Sequence, residues 1–448
     1  MQVTAGTGDC RITLVVCEQC IPRILENGIQ VPRTLLDLDA RISLAGENIA
    51  GLLLARVEGG DSLRGIIERY RLRVAVEELL GLYSAVDGLV DELEVSPLYA
   101  PARRAWLLGD PYWGIFHGSA GHVLEEYQGL LESNGILVGG RIGREAARSV
   151  YTRYRLQTRR ILSIASLRLG RIARRLAATV LPAIRRLTCP APSYDASELV
   201  TAPEGRYFEG GPDEVLARLF GDYDCKRPSI LSSSYVCETR QGPVVVKRYA
   251  AREAKWFPAS MASPPGAKMT VSAPARLATE YIMLRRIRGI LPTPRIIAVI
   301  RGASGPSMIR EYLDGQPVLE SRDRTLWEHA GCALAKLHSG GIALVDSNPG
   351  NMLFTGDTIA IIDAEQASPF TLEAGAWDLV VFTAYSILFS VDRSLILSAL
   401  RAYKKCGPEL LSRLLPLIEA GRITGRLKLL AYPLYMQTMS LLRLLKES

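Results

Sequence analysis

Leu337-His-Ser-Gly-Gly-Ile-Ala-Leu-Val-Asp346-Ser-Asn-Pro-Gly-Asn351-Met-Leu-Phe-Thr-Gly-Asp-Thr-Ile-Ala-Ile-Ile-Asp363 is the stretch that decides the fold. It reads as a helix end, a tight loop, a strand, a turn and a second strand. Asp346 and Asn351 share one loop, five positions apart, and Asp363 ends an apolar strand twelve residues beyond Asn351. A hairpin brings that strand end back beside the loop. Two carboxylates and one amide oxygen then converge on a single spot. Hard oxygen ligands of this kind suit Mg²⁺ holding nucleotide phosphates. Asn351 and Asp363 are the metal candidates, and Asp346 is left to orient a hydroxyl or water for attack.

Working outward, the preceding segment supplies strands. Ser229 to Glu238 and Gly242 to Tyr249 read as two strands joined by the turn Thr239-Arg-Gln-Gly, and Val244-Val-Val-Lys247 puts a lysine on the second. A helix follows Pro274, which suits the first helical position; its stretch Ala275 to Ile287 carries Glu280. Another strand pair brackets Gly302-Ala-Ser-Gly, and long helical patterns run on to the C-terminus. Strands first and helices after is an α+β order.

These elements, in this order, resemble the protein-kinase-like superfamily, and within it the atypical archaeal kinases: the RIO kinases and the kinase of the KEOPS complex. Asp346-x-x-x-x-Asn351 matches the catalytic loop and Asp363 the metal-binding Asp. The resemblance covers roughly 205–448 and implies a bilobal kinase-like domain using ATP and Mg. It implies that Lys247 holds phosphates, positioned by Glu280. It implies that Met308-Ile-Arg-Glu311-Tyr-Leu313 is the hinge that receives adenine, and that Ser232, Ser233 and Ser234 stand where the phosphate loop lies. Asp378, in Ala376-Trp-Asp378, resembles the Asp that braces the catalytic loop. The chain departs from the family pattern in three places. Leu344-Val345-Asp346 replaces His-x-Asp, Asp363-Ala-Glu365 lacks Phe-Gly, and no G-x-G-x-x-G precedes Lys247. No long activation segment separates Asp363 from Asp378. The expected activity is an ATP- and Mg-dependent phosphotransferase, an atypical serine/threonine protein kinase with a protein substrate. The alternatives are a small-molecule kinase, an ATPase switch, or a degenerate kinase scaffold whose N-terminal region binds nucleic acid or a partner.

Composition sets the frame for the rest. With 448 residues, 48% of them hydrophobic, the chain can bury sizeable cores, and its 22% charged residues exclude wholesale disorder. The longest uncharged apolar run, Leu379 to Val391, is thirteen residues, short of the eighteen or so that a membrane span needs. It reads as a buried helix. No signal-peptide pattern opens the chain, so the expectation is a cytoplasmic protein without a transmembrane segment.

Charge divides the chain. Residues 1–140 hold 11 Arg and 19 Asp or Glu, whereas 141–187 hold 13 Arg, no Lys and one acid. The expected organisation is a mostly α-helical region over 1–190, a turn-rich linker over 191–204 and the kinase-like domain over 205–448. Helical spacing covers Leu35 to Leu54, Leu63 to Leu93 and Ser119 to Leu131; Arg11 to Cys17 is the one expected strand there. The Arg-rich helix expected over 141–187 is a solvated, packed amphipathic helix or a footprint for RNA, DNA or an anionic membrane surface. Its few aromatics give no support to sequence-specific base reading. Cys10, Cys17 and Cys20 raise zinc or redox chemistry but show no fourth ligand. His117 and His122 read as turn or core residues.

Overall fold

A computed structural model describes residues 2–7, 10–18, 20, 23–25, 28–33, 61–108, 125–152, 195–226, 234–249, 261, 263–267, 269–303, 305–421 and 423–447. The chain divides into two compact units, residues 1–84 with 90–203 and residues 85–89 with 204–448.

The first unit begins with strands, not helices. Gln2–Thr7, Cys10–Cys17, Gly28–Pro32 and Arg23–Leu25 form a four-stranded sheet in that order. Cys10–Cys17 pairs antiparallel with Gln2–Thr7 and parallel with Gly28–Pro32. The strands that the sequence pattern misses set single Val or Ile residues among Gly, Pro and polar ones, a composition poor in strand formers. Cys17 and Cys20 are paired as a disulfide across three positions.

Asp61–Val86 is a long helix. It stops at Asp87, whose φ of 42° lies in the left-handed region. The helix expected at 35–54, both His117 and His122, and most of the Arg-rich run lie outside the described residues. The described part of that run, expected as mainly helix, opens with a hairpin. Arg141–Ile142 pairs with Leu137–Val138 as a small hairpin. Gly139 and Gly140 turn it with φ of 56° and 78°, values that glycine adopts without a steric penalty. Helix follows over 144–152. There Arg144 lies 4.2 Å from the Tyr83 ring centroid and 3.7 Å from Asp91 Oδ2. One of the run's arginines is thus paired within the acidic part of the chain.

The second unit is mixed α+β. Tyr223–Lys226, Ser234–Thr239, Val244–Arg248, Gly305–Glu311 and Ile296–Gly302 form consecutive antiparallel partners, and Arg206–Glu209 adds to the last in parallel. Alternation gives the sheet two faces. Val244 and Val246 pack with Val215 and Leu216 of the helix Pro212–Phe220. Lys247 therefore points to the opposite face, toward the helix Ala273–Ile287. C-terminal to the sheet the chain is largely helical. Arg324–Ser339, Leu372–Leu388, Arg393–Cys406, Pro408–Glu419 and Tyr432–Glu447 share a core around Trp327, Leu334, Phe382, Leu400 and Leu442. Arg324–Ser339 and Arg393–Cys406 approach so closely at Gly331 that a Cβ there would fall 1.9 Å from Ala399 O. The disulfide Cys332–Cys406 ties the same two helices.

Candidate active site

The hairpin Met352–Phe354 with Ile359–Ile361 pairs Met352 with Ile361. One step further the Ile362 N–H donates to Asn351 O at 3.0 Å. Asn351 and Asp363 therefore leave the open end of one hairpin side by side. The Asn351 side chain donates to Asp346 O at 3.5 Å, tying it to the loop that carries Asp346.

That loop is held under strain. Val345 sits at φ 63°, a left-handed conformation that a β-branched residue adopts at a cost of about 1–3 kcal/mol. Its surroundings over-determine it. Val345 is buried, the Leu344 N–H donates to Asp378 Oδ2 at 2.8 Å, and Ser347 Oγ donates to Asp378 O at 2.7 Å. Asp378 Oδ2 also lies 3.0 Å from His338 Nε2, and His338 Nδ1 lies 2.7 Å from the Tyr403 hydroxyl. His338 thus stands against the bracing Asp, although no histidine occupies position 344. It is buried and structural.

Lys247 comes from the sheet. Its Nζ lies 2.6 Å from Glu280 Oε2, 2.7 Å from Asp363 Oδ2 and 3.3 Å from Glu365 Oε2. Glu280 reaches it from the neighbouring helix, where Arg276 stands one turn earlier on the same face. Arg276 pairs with Glu365 at 3.2 Å and donates to Tyr249 O. Arg310 donates to Glu280 Oε1 at 2.5 Å and to the Ile362 carbonyl. The Tyr249 hydroxyl donates to Glu280 Oε2 at 2.6 Å. Three cations and three carboxylates are therefore interlocked.

Arg310, Glu365, Arg276 and Tyr249 are members that the sequence reading does not single out. A signal for Arg310 exists: Met308 lies across from Lys247 in register, so Arg310, two residues on, shares the lysine's face. Ser234 faces Lys247 from the other neighbouring strand. Ser232 and Ser233 lie outside the described residues. In the segment expected to receive adenine, Glu311 Oε2 accepts from the Arg295 N–H at 3.1 Å, and Leu313 follows half-buried. Gly315 then passes so near the hairpin that a Cβ would sit 2.8 Å from Phe354 O.

The electrostatics separate the two aspartates. Burial opposes the charges of Lys247 and Asp363. Even so, Asp363, Glu280 and Glu365 hold the ammonium pKa above its usual range, while Lys247 and Arg310 hold the Asp363 carboxyl below its own. Asp346 goes the other way. Burial, then the charges of Asp363 and Glu365, push it up to about 7. Its buried Oδ1 has no hydrogen-bond partner among the described residues.

One oxygen each of Glu280, Asp363 and Glu365 gather within 4.8 Å of one another. Lys247, Arg310 and Arg276 already neutralise that triad, which leaves little call for a cation at its centre. A divalent cation is better served at the edge. There Asp363 is the partly exposed member of the triad, with a side chain 25% exposed, and Asn351, beside it at the open end of the hairpin, supplies a further hard donor. The residues present fit Mg²⁺ carrying a phosphate.

No protein-family model and no curated protein sequence matches the chain. Among solved structures, it is similar to an aminoglycoside phosphotransferase from Alicyclobacillus acidocaldarius subsp. acidocaldarius DSM 446. That alignment has 13% identity and a TM-score of 0.32, and covers 50% of this chain and 91% of the other. It is also similar to WaaP in complex with acyl carrier protein, at 16% identity and a TM-score of 0.28, covering 52% of this chain and 92% of the other.

Proposed function

We propose that the chain is an ATP- and Mg²⁺-dependent phosphotransferase of the atypical-kinase type, acting on a hydroxyl acceptor. The observation that carries this reading is Lys247 Nζ held between Glu280 Oε2 at 2.6 Å and Asp363 Oδ2 at 2.7 Å. That contact joins a sheet lysine, a helix glutamate and the aspartate at the hairpin end in one site. Asn351 and Asp363 would hold the metal, which supplies neutralisation of phosphate charge when bound. Lys247 turns from Asp363 and Glu365 onto phosphate oxygens. Glu280, fixed by Arg310 and Tyr249, keeps the lysine from swinging away. Asp346 accepts a hydrogen bond from the acceptor hydroxyl and aims its oxygen. Ser234 offers its hydroxyl and backbone to phosphate, and Glu311 to Leu313 offer backbone groups to adenine. Most of the catalysis is positioning and charge stabilisation in a water-poor site.

The expected acceptor is a protein serine or threonine, as the resemblance to RIO and KEOPS kinases implies. One observation favours a small-molecule acceptor instead. Only 364–371 separate Asp363 from the helix Leu372–Leu388, and Gln366 is tied at both ends of its amide to the Thr270 backbone. So short and anchored a connection leaves no activation segment to form a peptide platform.

The test is transfer of labelled γ-phosphate from ATP with Mg²⁺, with Asp346→Asn and Lys247→Ala as comparisons. Wild-type transfer that both variants lose supports the reading. ATP binding without any transfer or hydrolysis would instead favour the scaffold. A phosphosite map set against a panel of small hydroxyl compounds decides between the acceptors.

A further inference from the structure

The last two helices present an apolar corner that the proposed chemistry does not use. Gly425–Leu430 and Tyr432–Glu447 meet at Ala431. Their inner sides are committed to the core through Leu427, Met439, Leu441, Leu442 and Leu445. Their outer sides are not polar in compensation. Leu429 is 85% exposed, Leu430 and Tyr432 are each 54% exposed, and Met436 is 47% exposed. Along the second helix Tyr432, Met436, Ser440 and Leu444 recur every fourth position on one exposed row without a charge. A helix face turned to water ordinarily carries charged residues.

The charges on these two helices are mainly positive. Residues 425–447 contain four Lys or Arg and one Glu, a net of +3. Lys428 is exposed immediately beside Leu429, and Arg443 is exposed beside Leu444.

We propose that this corner is a docking surface for an anionic lipid bilayer, in which Leu429, Leu430, Tyr432 and Met436 enter the interface and Lys428 and Arg443 meet the headgroups. Apolar residues rimmed by cations match a surface whose interior is hydrocarbon and whose border is negative. The same excess of positive charge repels a second copy of the corner. An adjacent pair of leucines at a bend is suited to insertion between lipids, and the tyrosine beside them suits the headgroup level. Attachment is peripheral, for no helix among the described residues is long and apolar enough to cross a membrane. The surface stands apart from the phosphotransfer reading and is tested without it.

The experiment sediments the full chain with vesicles of phosphatidylcholine alone and of equal parts phosphatidylcholine and phosphatidylglycerol, across a salt series. Binding to the anionic vesicles, weakened by salt, is expected. Leu429→Ser with Leu430→Ser should lower the affinity by about tenfold or more, and Lys428→Glu by a smaller factor. Val138→Ser, at a 65% exposed valine in the other unit, should change nothing. A Tyr432→Trp chain, compared with wild type, should show a blue-shifted emission component with anionic vesicles, a readout that survives if the double variant folds poorly. Failure of the wild type to sediment at low salt overturns the proposal. Equal binding by the double variant overturns it too and moves the lipid site elsewhere, the Arg-rich 141–187 being the first alternative. A double variant that instead turns a self-associated chain into a monomer assigns the corner to a second copy. Unshifted emission from the Tyr432→Trp chain also counts against insertion.

Discussion

The Lys247 cluster and the Asp346 loop belong to one site and are built on opposite terms. Around Lys247, three cations meet three carboxylates, and the Tyr249 hydroxyl adds a further bond to Glu280. Among the described residues, Asp346 has no cation of its own, an unpartnered buried oxygen and a neighbour, Val345, at φ 63°. The cluster is a balanced set that holds geometry. The loop is an unbalanced carboxylate held in place by others, chiefly Asp378. The comparison teaches that positioning and reactivity are separated here. The groups that fix the phosphate side are mutually satisfied, and the group that meets the acceptor is left for it to satisfy.

The largest effects should come from removing the groups nearest the reaction. Asp363→Ala should abolish metal-dependent transfer, and Asp346→Asn should cut turnover by about 10²–10⁴-fold. Single-turnover assays with labelled ATP check both. If Asp346→Asn turns over like wild type, the comparison collapses, because the unbalanced carboxylate then has no work.

Stability should divide the two regions in the opposite sense. Glu280→Leu leaves Lys247 and Arg310 buried without their shared partner, and should cost about 3–5 kcal/mol in urea unfolding. Asp346→Asn removes an uncompensated charge and should cost nothing or stabilise. Equal losses in the two variants would erase the distinction between them.

A third test uses pH, in metal-free protein. The Asp346 carboxyl is raised from 3.8 to about 7, so the folded chain holds that proton more tightly than the unfolded chain. Its contribution to stability is therefore full below pH 3.8 and is lost as pH rises through about 7. Wild type should lose stability relative to Asp346→Asn across that window, and unfolding curves at several pH values measure the difference. A flat difference between the two proteins would place Asp346 in an ordinary environment.

The smallest expected effect is Tyr249→Phe. It removes one bond to Glu280 while Lys247 and Arg310 remain, and should cost about 1.5–3 kcal/mol with Lys247 still in place. A loss as large as that of Glu280→Leu would mean that the hydroxyl, and not the cations, organises the cluster.

The elements of the site were legible because each is local. The Asp346-x-x-x-x-Asn351 spacing, the hairpin that returns Asp363, the lysine on an apolar strand and the helix after Pro274 are all short-range patterns, and periods of two and of three to four residues carry them. The strands before residue 33 other than Arg11 to Cys17 were not legible. Their Gly, Pro and polar residues give little strand signal of their own, so they owe their existence to their ladder partners. Glu365 and Arg276 illustrate the same limit inside the site. Nothing near either residue announces the other, yet 89 positions apart they form a buried pair.

By itself, then, the sequence determined which chemical groups exist, in what order, and on which kind of element each sits. Tertiary structure alone decided their charges and their strain. Arg310 became part of the site through register with the lysine strand, and His338 through its approach to Asp378 from a helix end. Among the described residues Asp346 is left without a cation because the three that converge nearby are committed to other carboxylates. Those outcomes depend on distances between segments far apart in the chain, and ion pairing and desolvation act through space, without regard to the order of residues.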